Sequence, residues 1–339
     1  MKRDRRPAKL KDIADRLGIS VATVSRALQS NPAISKHTRD LVMQTARDMN
    51  YTKNIIADSL RSGSLPVIGV IVPHAVTHFY SSVLDGIEHV AAAAGYAVAS
   101  MNSHERYIEE CANVRNLANL HVAGIIASVT QETEDFSHFG CLADSGIPVV
   151  FVARDIPMHT FSSVTADGSE AAYRATLHLI EQGCRRIAML CGPSRLKMVK
   201  ERKHGYIEAL REHGLPLRPE YVAYSDIDSA SAIDATDELL DLEERPDAII
   251  ALNDTLLFSA MKTIKRRGLS MPSDIAVIGF SDAEYVDDVC PTLSTIEDRS
   301  RLMGESAAQI LLNHIHGDAA PVRKIIPTVQ RIRQSSRRV

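Results

Sequence analysis

Apolar residues recur at helical spacing in three short stretches near the start of the chain. The first predicts an amphipathic helix over residues 11–17, and Gly18 follows it where a helix end favours a residue that tolerates positive φ. Ser20 then stands at an N-cap position before a second periodic run over residues 21–28. A third helix is predicted over residues 36–49, which completes a small all-α head with a thin apolar core.

Beyond residue 65, short uninterrupted apolar runs alternate with helical stretches. Such runs predict strands buried on both faces, which is typical of parallel sheets covered by helices. The predicted strands cover residues 67–73, 96–101, 123–129, 147–153, 186–192, 221–224, 247–253 and 274–280. Two series of similar size predict an α/β core of two doubly wound parallel-sheet subdomains, with a ligand cleft at the carboxyl ends of the strands.

The last part of the chain is predicted to return to both subdomains. A helix from Ser300 to His316 is expected to pack on the first subdomain, and a strand near Lys324 to Pro327 is expected to lie with the second. The first subdomain is therefore expected over about residues 66–166 and 296–320, and the second over about residues 167–295 and 321–336.

The charged residues are unevenly distributed along the chain. Residues 1–62 contain 13 Lys and Arg against 6 Asp and Glu, a net charge of +7, while the remainder contains 26 against 36, a net charge of −10. A basic head on an acidic body is the electrostatic pattern of a nucleic-acid-binding domain joined to a part with another task. A solvated basic tail would explain residues 2–9 but not the patterned helices that follow.

The composition argues against several other classes of protein. The five cysteines are widely spaced without a C-x-x-C pair, which favours reduced thiols over a disulfide or zinc framework. No apolar run reaches the ~18 residues of a membrane span, and the start of the chain lacks the apolar core of a secretory signal. No phosphate-binding loop, nucleophile elbow or zinc-protease motif is present, so we expect a cytoplasmic protein that is not an enzyme and holds no cofactor or metal.

The second predicted helix carries residue types that read DNA. A helix–turn–helix places the outward face of its second helix in the major groove, where Arg26 can pair bidentately with guanine and Val21 and Ala22 can contact a thymine methyl. The short hydroxyl residues can contact phosphates. The candidate DNA-binding residues here are Ser20, Val21, Ala22, Thr23, Ser25 and Arg26. A surface helical hairpin with scattered charge is the alternative interpretation of this stretch taken alone.

The run D-I-A-x-x-L-G-I-S-V-A-T-V-S-R-A-L, which begins at Asp12, resembles the DNA-binding head of the LacI/GalR family of bacterial repressors. The likeness continues through the motifs I-S-K-H-T-R and M-N-Y and reaches about Arg333, so it covers nearly the whole chain. It implies a helix–turn–helix head over residues 1–52 and an effector-binding and dimerisation core over residues 66–336. The implied architecture of the core is that of type I periplasmic binding proteins.

The resemblance also implies a hinge helix and linker over residues 53–65. In the family this helix is ordered only on operator DNA, packs against its dimer mate and inserts a leucine into the minor groove. By position the hinge residues that contact DNA are Asn54, Ala57 and Leu60. The family usually has proline where this chain has Lys53, so the entry angle of the hinge is less constrained here.

Effector contacts are implied at the ends of the predicted strands. The implied residues are His78, Phe79, Tyr80, Arg154, Asp167, Arg202, Asn253, Ser281 and Asp282. The family often has aspartate at Ser281, where Asp282 could substitute, and many relatives place an aromatic residue near Ile227. Both departures weaken the case for a common hexose, and a basic run near Arg202 supports the hypothesis of an anionic sugar derivative, with a solvated helix face as the alternative.

The pattern and the resemblance together predict a ligand-responsive repressor of carbohydrate metabolism genes. It is expected to bind palindromic double-stranded operator DNA as a homodimer, with a sugar or sugar derivative controlling the hinge, and to associate with the nucleoid when bound. No membrane partner is expected. The alternative is a sugar-binding or transport protein without a DNA function.

Two substitutions in the head and hinge should weaken operator binding in different ways. Arg26→Ala should relax base preference, because a guanine contact is lost, whereas Leu60→Ala should lower specific affinity without unfolding the core. Gel shifts with a palindrome that has a central CG step, at several salt concentrations, measure both effects. Normal operator binding by Leu60→Ala would exclude the hinge mechanism.

Overall fold

The computed structural model describes residues 8–28, 31–49, 51, 64–154, 156–157, 160–281, 283–318 and 320–338. The chain divides into two compact units, residues 1–63 and residues 64–339, and each is described by itself. The predicted hinge residues and one predicted effector residue lie outside the described residues: Asn54, Ala57, Leu60 and Asp282. None of the helices in the described ranges has the length and hydropathy needed to cross a membrane.

The head contains the three helices that the apolar spacing predicts, α1 (Leu10–Leu17), α2 (Val21–Leu28) and α3 (Lys36–Asp48). Gly18 ends α1 with a φ of 64°, and the Ser20 hydroxyl caps α2 by accepting a hydrogen bond from the Thr23 amide at 3.0 Å. One small cluster of buried side chains from all three helices forms the core: Ile13, Ala14, Val24, Ala27, Val42 and Ala46. The outward face of α2 is therefore left exposed.

The second unit contains two six-stranded sheets with helices on both faces. Its strands are β1 (Leu65–Val72), β2 (Ala97–Asn102), β3 (Val122–Ala127), β4 (Val149–Val152), β5 (Ser162–Ala166), β6 (Ile187–Cys191), β7 (Val222–Tyr224), β8 (Ala248–Ala251), β9 (Ala276–Phe280), β10 (Ser294–Glu297), β11 (Arg323–Ile326) and β12 (Val329–Arg331). Its α-helices are α4 (His78–Ala93), α5 (Tyr107–Asn119), α6 (Ser137–Asp144), α7 (Gly168–Glu181), α8 (Lys197–Glu212), α9 (Ser229–Leu240), α10 (Asp254–Arg266) and α11 (Ser300–Ile315).

Strand order shows that each sheet is doubly wound, as predicted. The first sheet runs β11-β5-β4-β3-β1-β2 with every described pairing parallel. The second runs β12-β10-β9-β8-β6-β7, and only the pairing of β12 with β10 is antiparallel. The apolar runs of the central strands are buried, for example all of β4, β6, β8 and β9, because helices cover both faces.

The expectation for the strand near Lys324 to Pro327 was wrong. This segment forms β11, which pairs in parallel with β5 in the first sheet and buries Ile326 in the first core. The chain reaches the second sheet only afterwards, through β12, so the predicted boundary at residues 320–321 moves to the link between β11 and β12. The short strands β5, β10 and β12 had no apolar signal, because their residues are largely polar.

Glycines permit the closest helix crossings in both subdomains. A Cβ atom at Gly304 of α11 would lie 2.0 Å from the Val83 carbonyl oxygen of α4, and one at Gly86 would lie 2.2 Å from the Arg301 carbonyl oxygen. At Gly205 of α8, a Cβ atom would lie 1.9 Å from the carbonyl oxygen of Ser169 on α7. These helices therefore meet backbone to backbone, which no larger residue allows at the same separation.

Gly304→Ala should lower the free energy of unfolding by about 1–3 kcal/mol or more, because the added methyl forces α11 and α4 apart. Gly140→Ala in α6 is the matched control, since its Cβ would meet nothing within 4 Å and alanine favours the helix by about 0.5–1 kcal/mol. Urea unfolding followed by circular dichroism measures both. Equal effects of the two substitutions would contradict the close-crossing interpretation.

Candidate functional site

A cleft lies between the two subdomains at the carboxyl ends of strands from both sheets. Its walls include His74 after β1, Arg154 after β4, Asn253 after β8 and Asp298 after β10. The empty space, counted with its open mouth, is about 1060 Å³. Open α/β sheets bind ligands in this position.

Six of the predicted effector residues line the cleft: Phe79, Tyr80, Arg154, Arg202, Asn253 and Ser281. Asp167 is not among the lining residues; it is exposed and caps α7 by accepting a hydrogen bond from the Glu170 amide at 3.1 Å. His78 is absent from the cleft lining and lines a second groove, and its ring is nearly perpendicular to that of Tyr285 with centroids 6.1 Å apart. The structure therefore separates these two from the others.

Arg202 is a buried arginine on the wall formed by the second subdomain. It is 4% exposed, and its guanidinium lies 3.6 Å from the centre of the Phe280 ring. Its Nη1 donates to the Leu252 carbonyl oxygen at 2.5 Å, and its Nη2 donates to Asp298 Oδ2 at 2.7 Å. Its Nε is buried and makes no hydrogen bond to any residue that the structure describes.

Arg154 has the same arrangement on the wall of the first subdomain. Its Nη1 and Nη2 donate to the two carboxylate oxygens of Glu105 at 2.8 and 2.7 Å, a bidentate pair, and Nη1 also donates to the Val129 carbonyl oxygen at 2.9 Å. Its Nε is likewise buried without a hydrogen bond among the described residues. Ala153 adopts a φ of 65°, a strained conformation for alanine, where the chain turns after β4 to aim Arg154 into the cleft.

Glu105 is a site residue that sequence reasoning missed. It lies before α5 with a φ of 60°, 6% exposed, and one oxygen also accepts a hydrogen bond from the Gln131 amide at 2.7 Å. Burial alone would raise the pKa of its carboxyl, but the hydrogen bonds and positive charge of Arg154, with the Gln131 amide, hold this pKa below its ordinary value. Glu105 follows an apolar run of the sequence, and neither apolar runs nor helical spacing carry a sign of a buried ion pair.

Tyr80 and Phe79 supply aromatic surface beside Arg154. The Tyr80 hydroxyl forms a hydrogen bond with the Ser128 hydroxyl at 2.9 Å, and the two rings meet edge to face with centroids 5.1 Å apart. Burial raises the pKa of the Tyr80 phenol above its ordinary value, although the positive charge of Arg154 acts in the opposite direction. Tyr80 therefore remains a neutral hydroxyl near neutral pH.

Two of the predicted residues on the second wall also have structural tasks. The side-chain oxygen of Asn253 caps α10 by accepting a hydrogen bond from the Leu256 amide at 2.9 Å, so its amide NH2 group is the part left for a ligand. The next residue, Asp254, also lines the cleft. The Ser281 hydroxyl accepts a hydrogen bond from the Ala283 amide at 3.1 Å.

The cleft wall carries four acidic and three basic side chains, so it has no excess of positive charge, which the basic run near Arg202 did not suggest. The charged lining residues are Glu105, Glu201, Asp254 and Asp298 against Arg154, Lys197 and Arg202. Lys197 itself lies 3.5 Å from Glu201, and both arginines face a buried carboxylate. A ligand therefore meets directed donors and acceptors rather than an excess of positive charge.

The candidate DNA-contacting residues occupy the outer face of α2. Val21, Ala22 and Arg26 are exposed, while Val24 and Ala27 on the opposite face are buried. The Ser20 hydroxyl is used by the cap and also forms a hydrogen bond with the Thr23 hydroxyl at 2.8 Å. Thr23 and Ser25 are half-buried at the sides of this face. The residues predicted to read bases are thus the ones left free of the head's own core.

The head and the cleft define a class of protein, a helix–turn–helix regulator with a ligand-binding core. A family model described as "Bacterial regulatory proteins, lacI family" matches residues 9–54, and one described as "Periplasmic binding protein-like domain" matches residues 176–336. The probable HTH-type transcriptional repressor ExuR of Bacillus subtilis is 31% identical over 97% of this chain and 98% of its own length. The chain therefore belongs to the LacI family of bacterial DNA-binding transcriptional repressors.

Two solved structures have a fold similar to that of this protein over nearly the whole chain. The lac repressor dimer bound to operator and the anti-inducer ONPF has a TM-score of 0.86 and 25% identity, covering 98% of this chain and 99% of that one. The transcriptional regulator CelR-cellobiose complex has a TM-score of 0.74 and 27% identity, covering 97% and 100%. Because these relatives are regulators, the chain is a regulator and not an enzyme, as predicted.

Asp298→Asn should lower the free energy of unfolding by about 3–5 kcal/mol, because it leaves the buried Arg202 cation without its carboxylate. The control is Asp237→Asn, whose pairs with Arg266 and Arg267 are at the surface and should contribute less than ~1 kcal/mol. Urea unfolding of the purified chain gives both values. If the two variants lose the same stability, the cleft pair is not the buried anchor described here.

Proposed function

We propose that this protein is a ligand-responsive repressor that binds a palindromic operator as a homodimer and takes a sugar or sugar derivative in its cleft. The observation that carries the ligand part is the pair of buried arginines on opposite walls, each with an unbonded Nε among the described residues. The lac repressor and CelR structures, solved with ONPF and cellobiose, support a carbohydrate ligand and a role in carbohydrate metabolism.

DNA binding is assigned to the outer face of α2. Residues 1–62 carry a net charge of +7, which supplies attraction to phosphates, and Arg26, Val21 and Ala22 supply contacts to base edges. One helix–turn–helix reads one half-site, so a two-fold dimer reads a palindrome. The lac repressor relative is a dimer on its operator, which supports the same arrangement here.

The cleft favours a neutral polyhydroxylated ligand over the anionic one suggested by the basic run. Each arginine charge is already compensated, Arg154 by Glu105 and Arg202 by Asp298, within 2.7–2.8 Å. An anion would gain little from these pairs and would approach the carboxylates of Glu201 and Asp254. The hydroxyl groups of a sugar can instead form hydrogen bonds with neutral groups such as the Asn253 amide, while its ring lies against aromatic side chains.

Control of DNA binding is assigned to the hinge, which the resemblance places at Asn54, Ala57 and Leu60. A ligand that changes the angle between the subdomains changes the separation of the two hinge segments in a dimer. If these segments cannot meet, Leu60 cannot insert between base steps, an insertion that costs a few kcal/mol of unstacking and is repaid by contacts with bent DNA. Couplings of about 1–3 kcal/mol are typical between such sites, and the same design serves inducers and corepressors.

A sugar-binding or transport protein without a DNA function is the alternative. Family membership, the exposed outer face of α2 and the net charge of +7 over residues 1–62 argue against it. The two are separated by sequence-selective DNA binding, which only the repressor has.

The experiment combines operator binding with ligand titration of the full chain. Calorimetry with neutral sugars (cellobiose, glucose) and anionic ones (glucuronate, glucose 6-phosphate) should show tight binding only of a neutral sugar, which should then shift operator affinity about 5–150-fold in a gel shift. Arg202→Lys should weaken sugar binding about tenfold or more, because lysine lacks the planar fork and the ring contact.

Arg211→Lys is the matched control, since Arg211 lies on the same helix but is exposed. Tight binding of an anionic sugar alone would overturn the neutral-ligand assignment. Absence of sequence-selective DNA binding with every ligand would overturn the repressor assignment.

A further inference from the structure

A contact between the subdomains lies at the edge of the cleft. Arg195, in the loop between β6 and α8, donates from Nε to the Gln131 carbonyl oxygen in the loop after β3. Arg195 precedes Lys197 and Met198, with which α8 begins to line the cleft. The contact therefore joins the start of a cleft-lining helix to the opposite subdomain.

The loop that receives Arg195, Thr130–Thr133, is held by an oriented chain of hydrogen bonds. The Glu132 amide donates to the Thr130 hydroxyl at 3.2 Å, that hydroxyl is 2.8 Å from the Thr133 hydroxyl, and Thr133 donates to Glu110 Oε1 at 2.9 Å. Because the Thr133 proton goes to the carboxylate, the Thr130 proton must go to Thr133. All of these hydrogen bonds therefore point in one direction, from the Glu132 backbone amide to the fully buried carboxylate of Glu110.

This series of hydrogen bonds begins at the same peptide group that Arg195 contacts. The Gln131 carbonyl and the Glu132 amide belong to one peptide unit, so a donor chain ending on a carboxylate polarises that unit and makes its oxygen a stronger acceptor. The other side of Gln131 is fixed as well, since its own amide donates to Glu105, the partner of Arg154. Such a construction exceeds what an ordinary surface loop needs.

We propose that Arg195 is a positioning residue, which docks the start of α8 on the polarised Gln131 carbonyl and holds that side of the cleft closed. The role rests on the proposed ligand function of the cleft. Gln131 joins the docking point to the Glu105–Arg154 pair, so the docked state and the orientation of Arg154 are linked. Arg195 is exposed, and a single exposed contact contributes little to global stability. Its effect is therefore local.

Hydrogen exchange of the ligand-free full chain tests this without knowledge of the ligand. Arg195→Ala should speed exchange of the amides at residues 196–200 about fivefold, with the free energy of unfolding unchanged. Thr130→Val should have a similar effect on that segment from across the cleft, because it breaks the polarising chain, whereas Thr130→Ser restores the hydroxyl and should behave as the original chain. Arg211→Ala, at the far end of α8, is the control.

The outcomes separate this inference from the proposed function. Unchanged exchange at residues 196–200 in Arg195→Ala overturns the docking role, even if a sugar binds and controls the operator. Faster exchange in Arg195→Ala and Thr130→Val, with no sugar bound in any titration, sustains the docking role and overturns the ligand assignment. If Thr130→Val proves unstable, Arg195→Lys, which keeps a donor and should restore most of the protection, decides the matter together with Arg195→Ala.

Discussion

The chain passes between its two sheets three times, after β5, after β10 and after β11, and this topology constrains every other feature of the core. Two bodies joined by three adjacent links can change their mutual angle as a hinge, but they cannot separate. Each link is also bound to a helix of the second subdomain. Asp167 caps α7, Asp298 pairs with Arg202 of α8, and Thr328 accepts a hydrogen bond from Arg174 of α7 at 2.6 Å. A change in the angle between the subdomains therefore acts directly on α7 and α8, two helices that line the cleft.

The cleft is built from charges that neutralise one another. Buried ion pairs add little net stability, because desolvation offsets their attraction, yet they fix the orientation of both partners. Arg154 and Arg202 are held in this way by Glu105 and Asp298, and the Nε of each is buried without a hydrogen bond to the described residues. The two cations therefore add little net positive charge to the cleft, which is the basis of the proposed preference for a neutral ligand.

The local pattern of apolar and polar residues was enough to predict the helices of the head and the alternation of strands and helices in the core. Helix ends at Gly18 and Ser20 depend on residues within one turn, so periodicity and capping chemistry predicted them. The buried central strands were equally clear, because a strand covered on both faces needs an apolar run. The polar strands β5 and β10 were missed, and β11 was assigned to the wrong sheet, because parallel pairing joins segments far apart in sequence and depends on the partner strand.

By itself the sequence determined the family, the three-helix head with the exposed face of α2, the two-subdomain core and six of the residues that line the cleft. These follow from spacing, from local chemistry and from a motif long enough to be specific. Only the tertiary structure decided that Glu105 and Asp298 compensate the arginines, that Asp167 and His78 lie apart from the cleft lining, and that Arg195 reaches Gln131. The physical reason is that a buried charge is defined by its partner, and each of these partners comes from a distant segment brought near by the folding of the sheets.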